Sequence, residues 1–227
     1  MSLGRLSLVA NVVEIVPSIL VQTREELVEK IITVEPFVES VHLDIADGIF
    51  VPNITITGPE EIKTVETDLK IGVHLMVSKP ENHIVRWLEA PADRFVFHIE
   101  ATQKVQEVID SIRGADKLVG IALNPQTPVS QIEPFIDYVD FAHFMTVEPG
   151  FYGGKFIESV LDKISDFHYF YPDKPIEVDG GVNPETIAKL VQAGASILVV
   201  GSYIWESKNI GKAIAELKPQ IQSSNAK

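Results

Sequence analysis

The stretch Val41-His42-Leu43-Asp44-Ile45-Ala46-Asp47-Gly48 is a short apolar run, rich in β-branched residues, that stops at an Asp-Gly turn signal. That is the pattern of a buried strand running into a loop. Seven further runs of the same kind flank it, so strands are predicted over residues 15–20, 41–46, 71–77, 95–100, 118–123, 141–147, 176–178 and 197–200. Their starts lie roughly 20 to 35 residues apart, about one βα unit. The intervening segments carry helix signals. Thr23-Arg24-Glu25-Glu26 reads as a capping box ahead of Leu27 and Ile31, and Asn183-Pro184-Glu185 places an N-cap Asn before a proline at the first helical position. Gly194 follows Ala188, Leu190 and Val191 as a helix stop. No Pro/Gly/Ser-rich linker divides the chain, so residues 1–227 are expected to form one domain with short polar tails at both ends. Eight βα units predict an α/β fold, a closed (β/α)8 TIM barrel, with a doubly wound open sheet as the rival. Either fold puts function at the carboxyl ends of the strands.

Composition narrows the chemistry. The 32 Asp plus Glu against 19 Lys plus Arg give a formal charge of −13, and no basic cluster offsets it. A nucleic acid or an anionic membrane surface is therefore excluded as a partner. There is no cysteine, so any metal has to sit on His and carboxylate ligands. No apolar run reaches the roughly 18 to 20 residues of a membrane span, and the start is too weakly apolar for a signal peptide. A cytoplasmic protein is the expectation.

On the strand of residues 41–46, His42 and Asp44 are two apart and share a face, which in a barrel points inward. Residues 71–77 add His74, and Glu177-Val178-Asp179-Gly180-Gly181 adds Asp179. His42, Asp44, His74 and Asp179 converge on a barrel mouth as a two-His, two-Asp set whose two charges match a divalent cation; Zn2+, Fe2+, Mn2+ and Co2+ all suit it. Taken singly, each is better read as a hydrogen-bonded polar strand end. His98-Ile99-Glu100 has the same spacing but no evident partner and reads as structural. His83, His143 and His168 have no motif around them, and Asp47 before Gly48 reads as a turn residue.

Glycines form a second constellation. Glu148-Pro149-Gly150-Phe151-Tyr152-Gly153-Gly154-Lys155 follows the sixth strand, Gly180-Gly181 the seventh and Gly201-Ser202 the eighth. Such positions let backbone amides approach an anion, so an acidic protein can hold one phosphate without an arginine clamp. Singly, they only make tight turns. Three consecutive loops match the phosphate-binding type of barrel.

These residues, in order, resemble the ribulose-phosphate 3-epimerase family. The resemblance runs from about residue 15 to residue 204 through Pro17-Ser18-Ile19-Leu20, His42-Leu43-Asp44, Asp47 to Thr55, His74-Leu75-Met76, His98-Ile99-Glu100, Ala122 to Pro125, Met145 to Phe151, Glu177 to Gly181, and Gly201-Ser202. It implies a metal-dependent barrel enzyme that interconverts D-ribulose 5-phosphate and D-xylulose 5-phosphate by two-base proton transfer through a cis-enediolate. His42, Asp44, His74 and Asp179 match the family's metal ligands, and Asp44 and Asp179 its acid/base pair. Ser18, His74, Met76 and Met145 match the substrate face. Gly150, Phe151, Tyr152, Gly153, Gly154, Gly180, Gly181, Gly201 and Ser202 fall on its phosphate loops. The family often forms homo-oligomers; no residue here marks an interface.

The chain departs from the family at Ala46, where methionine is common. A wider, wetter pocket is the expectation, and with it an alternative substrate, a larger ketose such as a ketohexose 6-phosphate. The loop Gly150-Phe151-Tyr152-Gly153-Gly154 replaces the usual Gly-Phe-Gly-Gly-Gln. A non-catalytic barrel that binds a sugar phosphate is the alternative from another class, although a mere binder has no use for two opposed carboxylates.

Overall fold

Every predicted run becomes a strand in the computed structural model, which describes residues 13–224. The strands are β1 Glu14–Ile19, β2 Ser40–Ala46, β3 Lys70–Met76, β4 Arg94–His98, β5 Leu118–Leu123, β6 Phe141–Met145, β7 Ile176–Asp179 and β8 Ile197–Val200. Each pairs in parallel with the next in chain order, and β8 returns to β1 through Ile197 opposite Glu14 and Val200 opposite Pro17. That last pairing makes the sheet a closed barrel and rules out the open one.

Helices α1 Arg24–Val34, α2 Glu60–Lys63, α3 Ile84–Trp87, α4 Val105–Gly114, α5 Val160–Phe170, α6 Ile187–Ala193, α7 Ser202–Trp205 and α8 Ile210–Ser224 connect and surround the strands. Between β5 and β6 the chain makes only 3-10 turns, Val129–Gln131 and Glu133–Tyr138. Pro128 and Pro134 each remove an amide donor there, which prevents a continuous i to i−4 ladder. The capping box at α1 forms as read: Thr23 Oγ1 accepts from the Glu26 amide at 3.2 Å and Glu26 Oε2 accepts from the Thr23 amide at 3.4 Å. Gly194 ends α6 in the left-handed region, φ +114°. Asn183 differs from expectation. Its Oδ1 accepts from the amides of Glu185 and Thr186, so it caps a turn, and the regular helix begins only at Ile187.

Strand alternation separates two interiors. Side chains such as Leu43, Val73, Phe95, Ile121, Phe144 and Leu198 point outward and pack against Leu27 and Ile31 of α1, Ile112 of α4, Phe167 of α5 and Leu217 of α8. Each such side chain fully removed from water contributes about 1.5 to 3 kcal/mol. The barrel lumen holds the alternate residues. Val96, Ala122 and Phe141 form an apolar patch there, and Gly120 lacks a Cβ because the Phe141 ring occupies that space. Gly72 gives room to Arg94, whose Nε would sit 2.8 Å from a Cβ.

The α1 cap is exposed to solvent and touches none of the candidate ligands, so it is cleanly testable. Thr23→Ala should lower stability by about 1 kcal/mol in urea unfolding; an unchanged midpoint would mean that the capping box contributes nothing.

Candidate active site

Register brings the four predicted ligands together. Asp44 on β2 is paired with His74 on β3, and His42 lies one inward position below Asp44. His74 Nδ1 stands 3.0 Å from Asp44 Oδ1 and 3.9 Å from Asp179 Oδ2, and His42 Nε2 stands 3.5 Å from Asp44 Oδ1. One donor atom from each of His42, Asp44, His74 and Asp179 lies within 4.8 Å of the others. Both ring nitrogens of the buried His42 lack a hydrogen-bond partner. A sealed imidazole with unsatisfied nitrogens beside two carboxylates is the donor set a divalent cation fits.

The electrostatics separate the two acids. Burial lowers the His42 pKa to about 3, which keeps the ring neutral, the form that ligates. Burial would raise the Asp44 pKa, but the hydrogen bond with His74 and the nearby His42 outweigh it and hold the carboxyl below its usual range. Asp179 moves the other way. Burial, and after it the charges of Asp44 and Glu177, push it well above the usual carboxylate range. The two carboxyls of the mouth are thus pushed in opposite directions, and Ser18 Oγ donates to Asp44 Oδ2 at 2.5 Å.

Above this floor the glycine loops meet. Ser18, Asp44, Met76, Met145 and Asp179 line one cavity together with Gly150, Phe151, Tyr152, Gly153 and Gly154 from the β6 loop and Gly180, Gly181, Gly201 and Ser202 from the loops after β7 and β8. Gly180 has φ +109° and no room for a side chain against Val147. The amides of Gly180 and Gly181 donate no hydrogen bond among the described residues. His42 and His74 do not line the cavity. They lie beneath it, with His74 wholly buried, so the expectation that His74 touches substrate as well as metal meets a ring covered by its neighbours.

Tyr152 closes the mouth. Its hydroxyl donates to the Ser18 carbonyl at 2.9 Å and accepts from the Leu20 amide at 2.8 Å. Its ring takes the place a side chain at position 201 would need, 2.7 Å from a Cβ there. The cavity it borders is about 40 Å³, room for a few water molecules, and a second space of about 500 Å³ shares Phe151, Tyr152, Gly153 and Gly154 with it. Trp205 Nε1 donates to the same Ser18 carbonyl at 2.5 Å, and Lys30 Nζ sits 3.7 Å from the Trp205 ring centre. The wider pocket expected at Ala46 is not found. Asp47 turns the following loop by accepting from the amides of Ile49, Phe50 and Ser78, and Val51 and Phe50 then pack on Ala46 and Met76.

Three further polar residues occupy the lumen. Glu177 Oε1 lies 2.8 Å from His143 Nδ1, and Glu177 Oε2 lies 3.2 Å from Arg94 Nη2. His143 and Glu177 stand two residues before Met145 and Asp179, so the spacing that singled out His42 and Asp44 also marks them. His98 is drawn in as well, with Nε2 2.8 Å from His74 Nε2. Glu100 belongs to a 3-10 turn, Ile99–Ala101, because β4 stops at His98.

The signature of the Ribulose-phosphate 3 epimerase family matches residues 14–205. The chain belongs to the ribulose-phosphate 3-epimerase family. A ribulose-phosphate 3-epimerase of Bacillus subtilis is 41% identical over 214 residues, 91% of this chain and 98% of that protein. A chloroplastic ribulose-5-phosphate-3-epimerase of Arabidopsis thaliana is 40% identical over 211 residues, 89% of this chain and 75% of that one. Among solved structures, a 3-hexulose-6-phosphate synthase from Salmonella typhimurium superposes with a TM-score of 0.71 over 93% of this chain and 99% of that one. At 13% identity it shows the shared barrel alone. The segment that matches the epimerase family runs from β1 through α7 and so contains every residue of the mouth. No helix among the described residues is long and apolar enough to cross a membrane.

The seat of Tyr152 can be tested by hydrogen exchange. Tyr152→Phe removes both hydroxyl bonds, and amides 150–154 should exchange faster while the circular dichroism stays unchanged; equal exchange rates would mean that other contacts hold the loop.

Proposed function

We propose that this chain, acting as one domain, inverts C3 of a ketopentose phosphate and so interconverts D-ribulose 5-phosphate and D-xylulose 5-phosphate. The observation that carries this reading is the pair Asp44 and Asp179, on β2 and β7 of one barrel mouth, with their pKa values pushed in opposite directions. Inversion next to a ketone removes a proton from one face and returns one to the other. Asp44, held below the usual carboxylate range, is suited to remove it, and Asp179, pushed above that range, to return one, with the roles exchanged in the reverse direction.

His42, Asp44, His74 and Asp179 would hold a divalent cation, which would supply Lewis-acid stabilisation of charge on the substrate oxygens. Zn2+, Fe2+, Mn2+ and Co2+ all suit two imidazoles and two carboxylates. Ser18 orients Asp44 through its hydroxyl. Met76 and Met145 give the cavity apolar walls that limit water beside the reacting carbon. The open amides of Gly180 and Gly181, with the β6 loop and Ser202, receive the phosphate. Tyr152, seated on the Ser18 carbonyl and the Leu20 amide, borders the space the sugar enters.

A coupled assay on D-ribulose 5-phosphate tests the reading. Asp44→Asn and Asp179→Asn should each lower kcat by roughly 10²- to 10⁴-fold with the fold retained by circular dichroism. Near-normal turnover in either folded variant removes the two-base mechanism. Absence of turnover in metal-replete wild type removes the epimerase.

A further inference from the structure

Beneath the candidate ligands lies a polar layer that proton transfer does not use. Glu177 Oε1 lies 3.6 Å from His42 Nδ1 as well as 2.8 Å from His143 Nδ1, and Arg94 pairs with its other oxygen. On the opposite side His74 Nε2 meets His98 Nε2 at 2.8 Å, and His98 Nδ1 stands 3.4 Å from Glu100 Oε2. The trio His42, His143 and Glu177 is within reach of a shared metal, but Arg94 already neutralises that carboxylate. Its chemistry is therefore support and not a second metal centre.

Proton counting makes the support specific. A neutral imidazole carries one N–H, so each ring presents a donor on one edge and a lone pair on the other. Glu177 is the carboxylate that faces His42 Nδ1, at 3.6 Å and outside hydrogen-bond distance; a proton drawn to that edge turns the Nε2 lone pair to Asp44. With its proton on Nδ1 toward Glu100, His98 offers Nε2 as an acceptor. His74 then donates through Nε2 and turns an Nδ1 lone pair to Asp44 and Asp179. Asp44 competes for these same protons from the other edge of each ring, at 3.5 Å and 3.0 Å. Were it to win, both ligand nitrogens would be blocked.

We propose that Glu177 and the His98–Glu100 pair are positioning residues that fix the tautomers of His42 and His74, so that Nε2 of the first and Nδ1 of the second face the mouth as lone-pair donors. The proposal rests on the metal centre of the reaction above, yet its test needs no turnover. Glu100 Oε1 is engaged by the Asn124 amide at 2.8 Å. In Glu100→Gln the carboxamide oxygen keeps that bond and its NH2 faces His98, which drives the His98 proton to Nε2 and the His74 proton to Nδ1.

Metal-free protein titrated with Zn2+ against a chromophoric chelator, together with ¹⁵N histidine spectra, reads both effects. Glu100→Gln should bind Zn2+ about 10- to 100-fold more weakly, with the His98 proton moved to Nε2. Glu177→Gln should show a similar loss where it folds, and wild type should carry the His42 proton on Nδ1. Unchanged Zn2+ affinity in folded Glu100→Gln, or a wild-type spectrum with His98 protonated at Nε2 or His42 at Nε2, would overturn the proposal. A protein that binds Zn2+ as described yet turns over no sugar phosphate would sink the epimerase and leave this inference standing.

Discussion

Glu177 carries a charge into the lumen of a barrel, where losing its hydration costs several kcal/mol unless partners replace the water. Burial alone would raise its pKa, but Arg94, His42 and His143 reverse that and hold it below the usual carboxylate range. Arg94 comes from β4, His42 from β2 and His143 from β6, so one carboxylate on β7 ties three other strands across the lumen. The absent side chain of Gly72 is what lets the guanidinium in.

The layers above follow from that arrangement. The paired Glu177 lies under a stack of imidazoles, with His42 against His143 and His74 against His98 at ring separations of 5.6 Å and 5.0 Å. Over them sit Asp44 and Asp179, which cannot both be charged without a cation between them. The raised Asp179 is thus a product first of its burial and then of the charges of Asp44 beside it and Glu177 in the layer below.

Much of this was legible in the chain because apolar runs make an isolated polar residue conspicuous. His42, Asp44, His74 and Asp179 stood out on that ground, and eight such runs were enough for a barrel, although closure itself depends on the β8 to β1 pairing that no single run displays. Glu177 and His143 carried the same spacing but remained unread, because their meaning depends on Arg94, which is distant in sequence and adjacent only once the sheet closes. Ala46 was visible as a loss of volume. Its compensation was not, since Phe50 and Val51 reach it only after Asp47 folds the loop back. The helix after β5 failed for a local reason, two prolines within one short segment.

Ser18 has all of its polar reach committed in two directions. Its hydroxyl holds Asp44, while its carbonyl accepts from both Tyr152 and Trp205. The β6 loop and the carboxylate floor therefore share one residue of β1, and its backbone cannot shift for one without disturbing the other. Thermodynamic linkage through such a shared residue is reciprocal. A displacement of the loop that moved the Ser18 carbonyl would therefore also turn the hydroxyl that holds Asp44, and a ligand that reoriented Asp44 would act back on the loop by the same free energy.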